Sequence, residues 1–300
     1  MEMAVSVLER ALEKFGPPVY AFHEIVHNQY IVNDFTQRGV VFVSNVANVP
    51  AGAKLVFSAH GVAPAVRMEA RQRGIQIIID ATCPLVEKVH REVRRYAAEG
   101  YWIILVGHKD HDEIVGTIGE AADRIRVVGS SAEAGRVEVP NPDKVAVLTQ
   151  TTLSVDDTRE ILHALRRRFP KMASPAKEDI CYATQNRQDA VKELAEKAQL
   201  ILVIGSRNSE NSNQLCRVAR ARGAQAYLVN SIKEVDPRWF EGVTSVGITA
   251  GASVPEALVQ EAVAYFTARG ARTTEIGVAE ENIHFALPPE VAMEPGDPHH

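Results

Sequence analysis

Leu200-Ile201-Leu202-Val203-Ile204 runs directly into Gly205-Ser206-Arg207-Asn208-Ser209-Glu210-Asn211-Ser212-Asn213. The first five residues are all aliphatic. A strand of that kind is buried on both faces, as in parallel sheets covered by helices. The Gly, Ser and Asn residues that follow are turn and helix-capping residues. Together they read as the junction between a strand and a helix in an α/β protein. The same pattern recurs at Lys54-Leu55-Val56-Phe57, Ile75-Gln76-Ile77-Ile78-Ile79, Trp102-Ile103-Ile104-Leu105-Val106, Val145-Ala146-Val147-Leu148 and Ser245-Val246-Gly247-Ile248. Between these runs, 85–97 and 156–169 place apolar residues at three- and four-residue steps, which predicts amphipathic helices.

In α/β folds ligands bind beyond the carboxyl ends of the strands. Those ends read Ser58-Ala59-His60-Gly61, Asp80-Ala81-Thr82-Cys83-Pro84, Gly107-His108-Lys109-Asp110-His111-Asp112-Glu113, Thr149-Gln150-Thr151-Thr152, the run after Ile204, and Thr249-Ala250-Gly251-Ala252-Ser253. One polar strand end is ordinary turn chemistry; six point to a shared polar pocket. The ends also recur in order. Cys83 precedes His111 by 28 residues, and Cys181 precedes Ser209 by 28. His27 and His60 stand in the same order with no Cys before them. The spacings predict three loosely similar α/β modules, over 1–83, 84–180 and 181–266, with a first module shortened at its start. The remainder, 267–300, is a C-terminal tail whose stretch from Glu281 to His300 is rich in Pro and acidic residues and reads as irregular.

Composition narrows the function. The chain has 300 residues, 46% hydrophobic and 24% charged, with 33 basic against 38 acidic side chains and a net charge of −5. That balance argues against nucleic acid or a membrane surface as the main partner. No apolar run approaches the roughly 20 residues of a membrane span. No basic, apolar leader opens the chain, so the cytoplasm is the expected compartment. Three cysteines exclude a disulfide framework and leave core thiols, nucleophiles or metal ligands.

Seven segments carry a family resemblance: His23-Glu24-Ile25-Val26-His27-Asn28, Ser58-Ala59-His60-Gly61-Val62, Asp80-Ala81-Thr82-Cys83-Pro84-Leu85-Val86, Thr149-Gln150-Thr151-Thr152-Leu153-Ser154-Val155-Asp156-Asp157-Thr158, Asp179-Ile180-Cys181-Tyr182-Ala183-Thr184, Asn211-Ser212-Asn213 and Thr249-Ala250-Gly251-Ala252-Ser253. In these the chain resembles the 4-hydroxy-3-methylbut-2-enyl diphosphate reductases, iron–sulfur oxidoreductases of the methylerythritol phosphate route of isoprenoid biosynthesis. The resemblance implies an α/β trefoil of three modules around a central [4Fe-4S] cluster. Three cysteines would hold three irons, leaving the fourth open to substrate. Thiolates are the usual ligands of such clusters. Cys83 and Cys181 match two ligand positions. Cys216, within Gln214-Leu215-Cys216-Arg217-Val218, lies outside any ligand motif and reads as a buried thiol. The family's first ligand precedes a Val-x-x-Ala segment that aligns with Met1-Glu2-Met3-Ala4. The expectation is that the third Cys ligand is absent from this chain and lies just upstream of Met1, lost through a misassigned start.

The resemblance also implies a diphosphate site lined by His27, His60, His111, Thr151, Ser209, Glu210, Asn211 and Ser253. Helix N-termini and side-chain donors supply what such an anion needs. Lys and Arg are nearly absent from the strand ends, so histidines and backbone dipoles are expected to offset the charge. Glu210 stands where the family often has Ser; a carboxylate there would repel the anion unless it turned away, leaving only its backbone to make contact. Glu113 would be the catalytic proton donor, with Thr151 relaying or orienting, because a hydroxyl leaves more readily as water. Asp112 occupies a position where the family usually has Pro.

The expected reaction is reductive dehydroxylation of the allylic diphosphate to isopentenyl and dimethylallyl diphosphate. Electrons would come from a ferredoxin or flavodoxin, since no dinucleotide fingerprint sits in a strand–helix context. Two rival readings stand beside it. One is a zinc-dependent phosphate-ester hydrolase using His108, His111, Glu113 and Cys83. The other is a cluster-free diphosphate-binding protein.

Overall fold

A computed structural model describes residues 1–175, 179–277 and 285–292. Its frame is three separate parallel sheets, of four, three and three strands. The first module opens with helix α1 (Glu2–Phe15), then β1 (Val19–Phe22), α2 (Gln29–Gln37), β2 (Val40–Val43), β3 (Lys54–Phe57), α3 (Pro64–Gln72) and β4 (Ile77–Asp80). The second comprises α4 (Pro84–Ala98), β5 (Trp102–Val106), α5 (Asp112–Ile118), β6 (Ile125–Val128), α6 (Ser131–Ala134), β7 (Val145–Thr149) and α7 (Val155–Arg168). The third comprises α8 (Tyr182–Lys197), β8 (Leu200–Ile204), α9 (Glu210–Ala221), β9 (Gln225–Val229), β10 (Val246–Ala250) and α10 (Glu256–Thr267).

The strand orders are β2-β1-β3-β4, β6-β5-β7 and β10-β8-β9. In each, the first strand of the module lies inside the sheet. The central strands β5 and β8 show why continuous aliphatic runs are diagnostic. Ile103 to Val106 and Leu200 to Ile204 are buried throughout. Full burial of such a side chain is worth roughly 1.5–3 kcal/mol.

Each sheet is packed on both faces. Leu8 of α1, Phe35 of α2 and Val56 of β3 share one core. Leu55, Phe57 and Val46 fill the opposite face of the same sheet. In the second module Leu165 of α7 packs over Val145 and Val147, and Val93 of α4 packs over Ile103 and Leu148. In the third, Leu215 and Ala219 of α9 cover Ile201 and Val203.

The tail is not independent of this frame. Residues 271–277 and 285–288 have no regular secondary structure, yet Val291 is buried in the core of the first module beside Leu287. The rest of the expected irregular tail, 278–284 and 293–300 with His299-His300, lies outside the described residues. Among the described residues no helix is long and apolar enough to cross a membrane.

Candidate active site

The strand ends of all three sheets enclose one cavity of about 1010 Å³. Its wall includes His27, His60, Cys83, His111, Glu113, Thr151, Cys181, Ser209, Glu210 and Asn211. Ser253 reaches it indirectly. Its hydroxyl donates to the His27 carbonyl at 3.3 Å, and its own carbonyl accepts from Asn28 Nδ2 at 2.9 Å. First and third modules are joined there.

The polar side chains of the wall gather at the starts of helices. Cys83 and Cys181 are the capping residues of α4 and α8. Their positions are fixed by equivalent backbone bonds. Cys83 N–H donates to the Ala59 carbonyl at 3.0 Å, and Cys181 N–H to the Thr151 carbonyl at 2.9 Å. Burial pushes the Cys181 thiol up, the backbone N–H groups of Ala183 and Thr184 pull it down, and nearby Cys83 adds to the rise. The two thiols therefore face each other's field. Cys216 is buried in the core of the third module beside Leu215 and Ala219, its thiol pushed up to about 11 by burial.

At the polar end three imidazoles converge. His27 and His60 stack with centroids 4.1 Å apart, and His111 meets them edge-on at 5.4 and 5.7 Å. His111 caps α5, its Nδ1 accepting the Glu113 backbone N–H at 3.2 Å. That bond puts the ring proton of the neutral form on Nε2. Burial, then the neighbouring His27, lowers His111 to about 4, and burial foremost holds His60 well below the ordinary range. These two rings are thus neutral donors, not cations. The helix N-termini of α2, α5 and α9 supply the positive end of the field. The N-caps are Asn28, His111 and Ser209.

Glu113 lies deeper, 2% exposed. Thr151 donates its backbone N–H to Oε1 at 2.7 Å and its hydroxyl to Oε2 at 2.9 Å. Burial raises the carboxyl to about 7 against those two bonds. Asn211 is buried nearby with neither amide atom bonded within the protein. The side chain of Glu210 is drawn aside, to His108 Nε2 at 3.2 Å and to Arg217.

Other side chains join the site without having been assigned to it from sequence. Asp112 contacts His23 Nδ1 at 2.6 Å and approaches His27 Nε2 at 3.9 Å. Burial raises its carboxyl, but the bond from His23 outweighs that and holds it low. Arg10 of α1 and Arg187 of α8 lie on the cavity wall. They are on helices, so a search of strand ends passes them over. The donor set of the zinc reading is not gathered. His108 is half exposed and turned to Glu210, while Glu113 is taken by Thr151. Among the described residues, the group whose ligand atoms do converge is His27, His60 and Asp112.

This architecture defines a three-module α/β protein with a central cavity, lined at one end by three imidazoles and at the other by two free thiols and a buried carboxyl. The family described as LytB protein matches residues 1–267, and the chain belongs to that family. It is 51% identical over 296 residues to the 4-hydroxy-3-methylbut-2-enyl diphosphate reductase of Neisseria gonorrhoeae, covering 98% of this chain and 92% of that protein. It is likewise 51% identical over 293 residues to the enzyme of that name from Streptomyces avermitilis, covering 97% and 86%. Its fold is similar to the solved E-1-hydroxy-2-methyl-but-2-enyl-4-diphosphate reductase of Plasmodium falciparum, with a TM-score of 0.93, 35% identity and coverage of 97% and 92%.

Proposed function

We propose that this protein reduces 4-hydroxy-3-methylbut-2-enyl diphosphate to isopentenyl and dimethylallyl diphosphate, as a cytoplasmic iron–sulfur oxidoreductase. The observation that carries the reading is the joint presence, in one cavity, of paired thiols, Thr151-bound Glu113 and three imidazoles at helix N-termini.

The donor chemistry fits a [4Fe-4S] cluster. Cys83 and Cys181 are free, face one cavity and cap helices whose N-termini favour thiolate. They would hold the cluster as two of its thiolate ligands. Met1 lines the same cavity, and the chain's N-terminal amine is close enough to act on Cys181. When bound, the cluster supplies the two electrons of the reaction and a Lewis-acidic iron, drawing on a ferredoxin or flavodoxin.

The protein's own residues do the rest. Neutral His111 and His60 donate N–H groups to the diphosphate, joined by His27, the hydroxyl of Ser209, the amide of Asn211 and the Ser253 region. Glu210 contributes its backbone at the start of α9, its carboxylate being held away by His108 and Arg217. Glu113 holds the proton that lets the hydroxyl leave as water. Thr151 orients that carboxyl through both of its bonds.

The test is iron and sulfide analysis with substrate conversion under a chemical reductant, on this chain and on one extended upstream through the expected Cys. Cluster and turnover in the extended chain support the reading. Diphosphate binding with neither iron nor turnover in either chain would favour the binding-protein alternative.

A further inference from the structure

Three charged side chains meet beside the anion end of the cavity. Glu210 is the first residue of α9, and its Oε1 stands 3.2 Å from His108 Nε2. Arg217 reaches the same oxygen from two turns further along the helix. Seven residues apart, Glu210 and Arg217 share one face of α9. Arg217 is itself braced, its Nε donating to Gln214 Oε1 at 2.8 Å. His108 comes from the run after β5, so the cluster spans the second and third modules.

The two cations lie behind the carboxylate. Glu210 is on the wall of the large cavity, whereas His108, Arg217 and Gln214 line a separate recess of about 80 Å³. Burial raises the Glu210 carboxyl, but the bond from His108 and the charge of Arg217 outweigh that and hold it low. It is therefore a carboxylate at neutral pH. The same contact with Glu210 pushes His108 up, against burial. The Glu210 carboxylate is also close enough for its charge to act on His111. A full negative charge thus stands between Ser209 and Asn211, in reach of a site built from anion donors. Turned into the cavity, it would repel a bound anion.

We propose that His108 and Arg217 are positioning residues for the anion site: by tethering the Glu210 carboxylate they keep its charge turned from an incoming diphosphate, and so set the affinity for it. They do this without lining the cavity and without giving the anion a donor. Their effect on affinity therefore exists only while residue 210 carries a charge. The inference rests on the diphosphate reading above and assigns to this cross-module cluster the control of that site.

The experiment is calorimetric titration of inorganic diphosphate into the full chain at low ionic strength. Arg217→Ala should weaken binding roughly tenfold or more. His108→Ala should weaken it less, because Arg217 still holds the carboxylate. Glu210→Gln should bind at least as tightly as the parent. The deciding protein combines Arg217→Ala with Glu210→Gln, and its affinity should return to that of Glu210→Gln alone. A merely structural role for Arg217, or a direct contact with the anion, would leave the double variant as weak as Arg217→Ala. That result, or unchanged affinity in Arg217→Ala, would overturn the inference while the diphosphate reading stood. Absence of binding to the parent chain would overturn the diphosphate reading itself, and this inference with it.

Discussion

Thr151 gives the Glu113 carboxyl group both of its donors, the backbone N–H to one oxygen at 2.7 Å and the hydroxyl to the other at 2.9 Å. Two bonds of that kind favour ionisation, yet burial prevails and the carboxyl rises to about 7. A group so balanced holds its proton below about 7 and can release it when charge develops nearby.

Glu113→Gln preserves shape and hydrogen bonding but removes the transferable proton. Turnover should fall about 10²–10⁴-fold, with iron content and diphosphate affinity unchanged. Wild-type kcat in this variant would refute the proton-donor role.

The same carboxyl sets a pH limit. Its proton is present below about 7 and lost above it, so kcat should decline as pH rises through that value. A kcat profile flat from pH 6 to pH 9 would exclude Glu113 as the group titrating.

Thr151→Val removes the hydroxyl bond, which lowers the Glu113 pKa, and leaves the N–H bond in place. The carboxyl should rise further, and the alkaline limb of kcat should move to higher pH. Thr151→Ser should restore it. Equal limbs in all three proteins would show that the hydroxyl does not act on Glu113.

Cys216→Ala should leave iron content unchanged, since that thiol is buried in the core of the third module. Cys83→Ser and Cys181→Ser should each lower it. Iron lost from the Cys216 variant alone would assign the ligand differently.

Gly251→Ala tests the packing behind the anion site. A Cβ on Gly251 would stand 2.2 Å from Ser212 Oγ, and one on Gly205 would meet the same atom at 2.2 Å. The first turn of α9 is thus clamped between the ends of β8 and β10. The substitution should destabilise the protein by roughly 1–3 kcal/mol, seen as a lower thermal midpoint.

Sequence periodicity found β3, β4, β5, β7, β8 and β10 and passed over β1, β2, β6 and β9. Leu200 to Ile204 is an unbroken aliphatic run because both faces of β8 are covered. Edge strands β6 and β9 carry Arg126 and the exposed Gln225, which interrupt that pattern. β1 is only four residues long and follows Pro17-Pro18, a context that reads as a turn. Within the site, the strand ends contain His60, Glu113 and Ser209, and the family resemblance gave them their roles. Asp112 stands in the same run as Glu113, but its contact with His23, far off in sequence, is made only across the boundary between two modules. The neutrality of His111 was likewise hidden, since burial and a backbone N–H on Nδ1 are properties of the fold.

His27 and His60 come from the first sheet, Glu113 and Thr151 from the second, and Ser209, Asn211 and Ser253 from the third. Each of these bodies has apolar cores of its own. Evolutionary freedom is therefore divided unequally. The outward face of any one body can drift without reference to the other two. The inward face cannot, because every change there alters a wall the others share and must be answered by them, so divergence among relatives should accumulate outside and stall within.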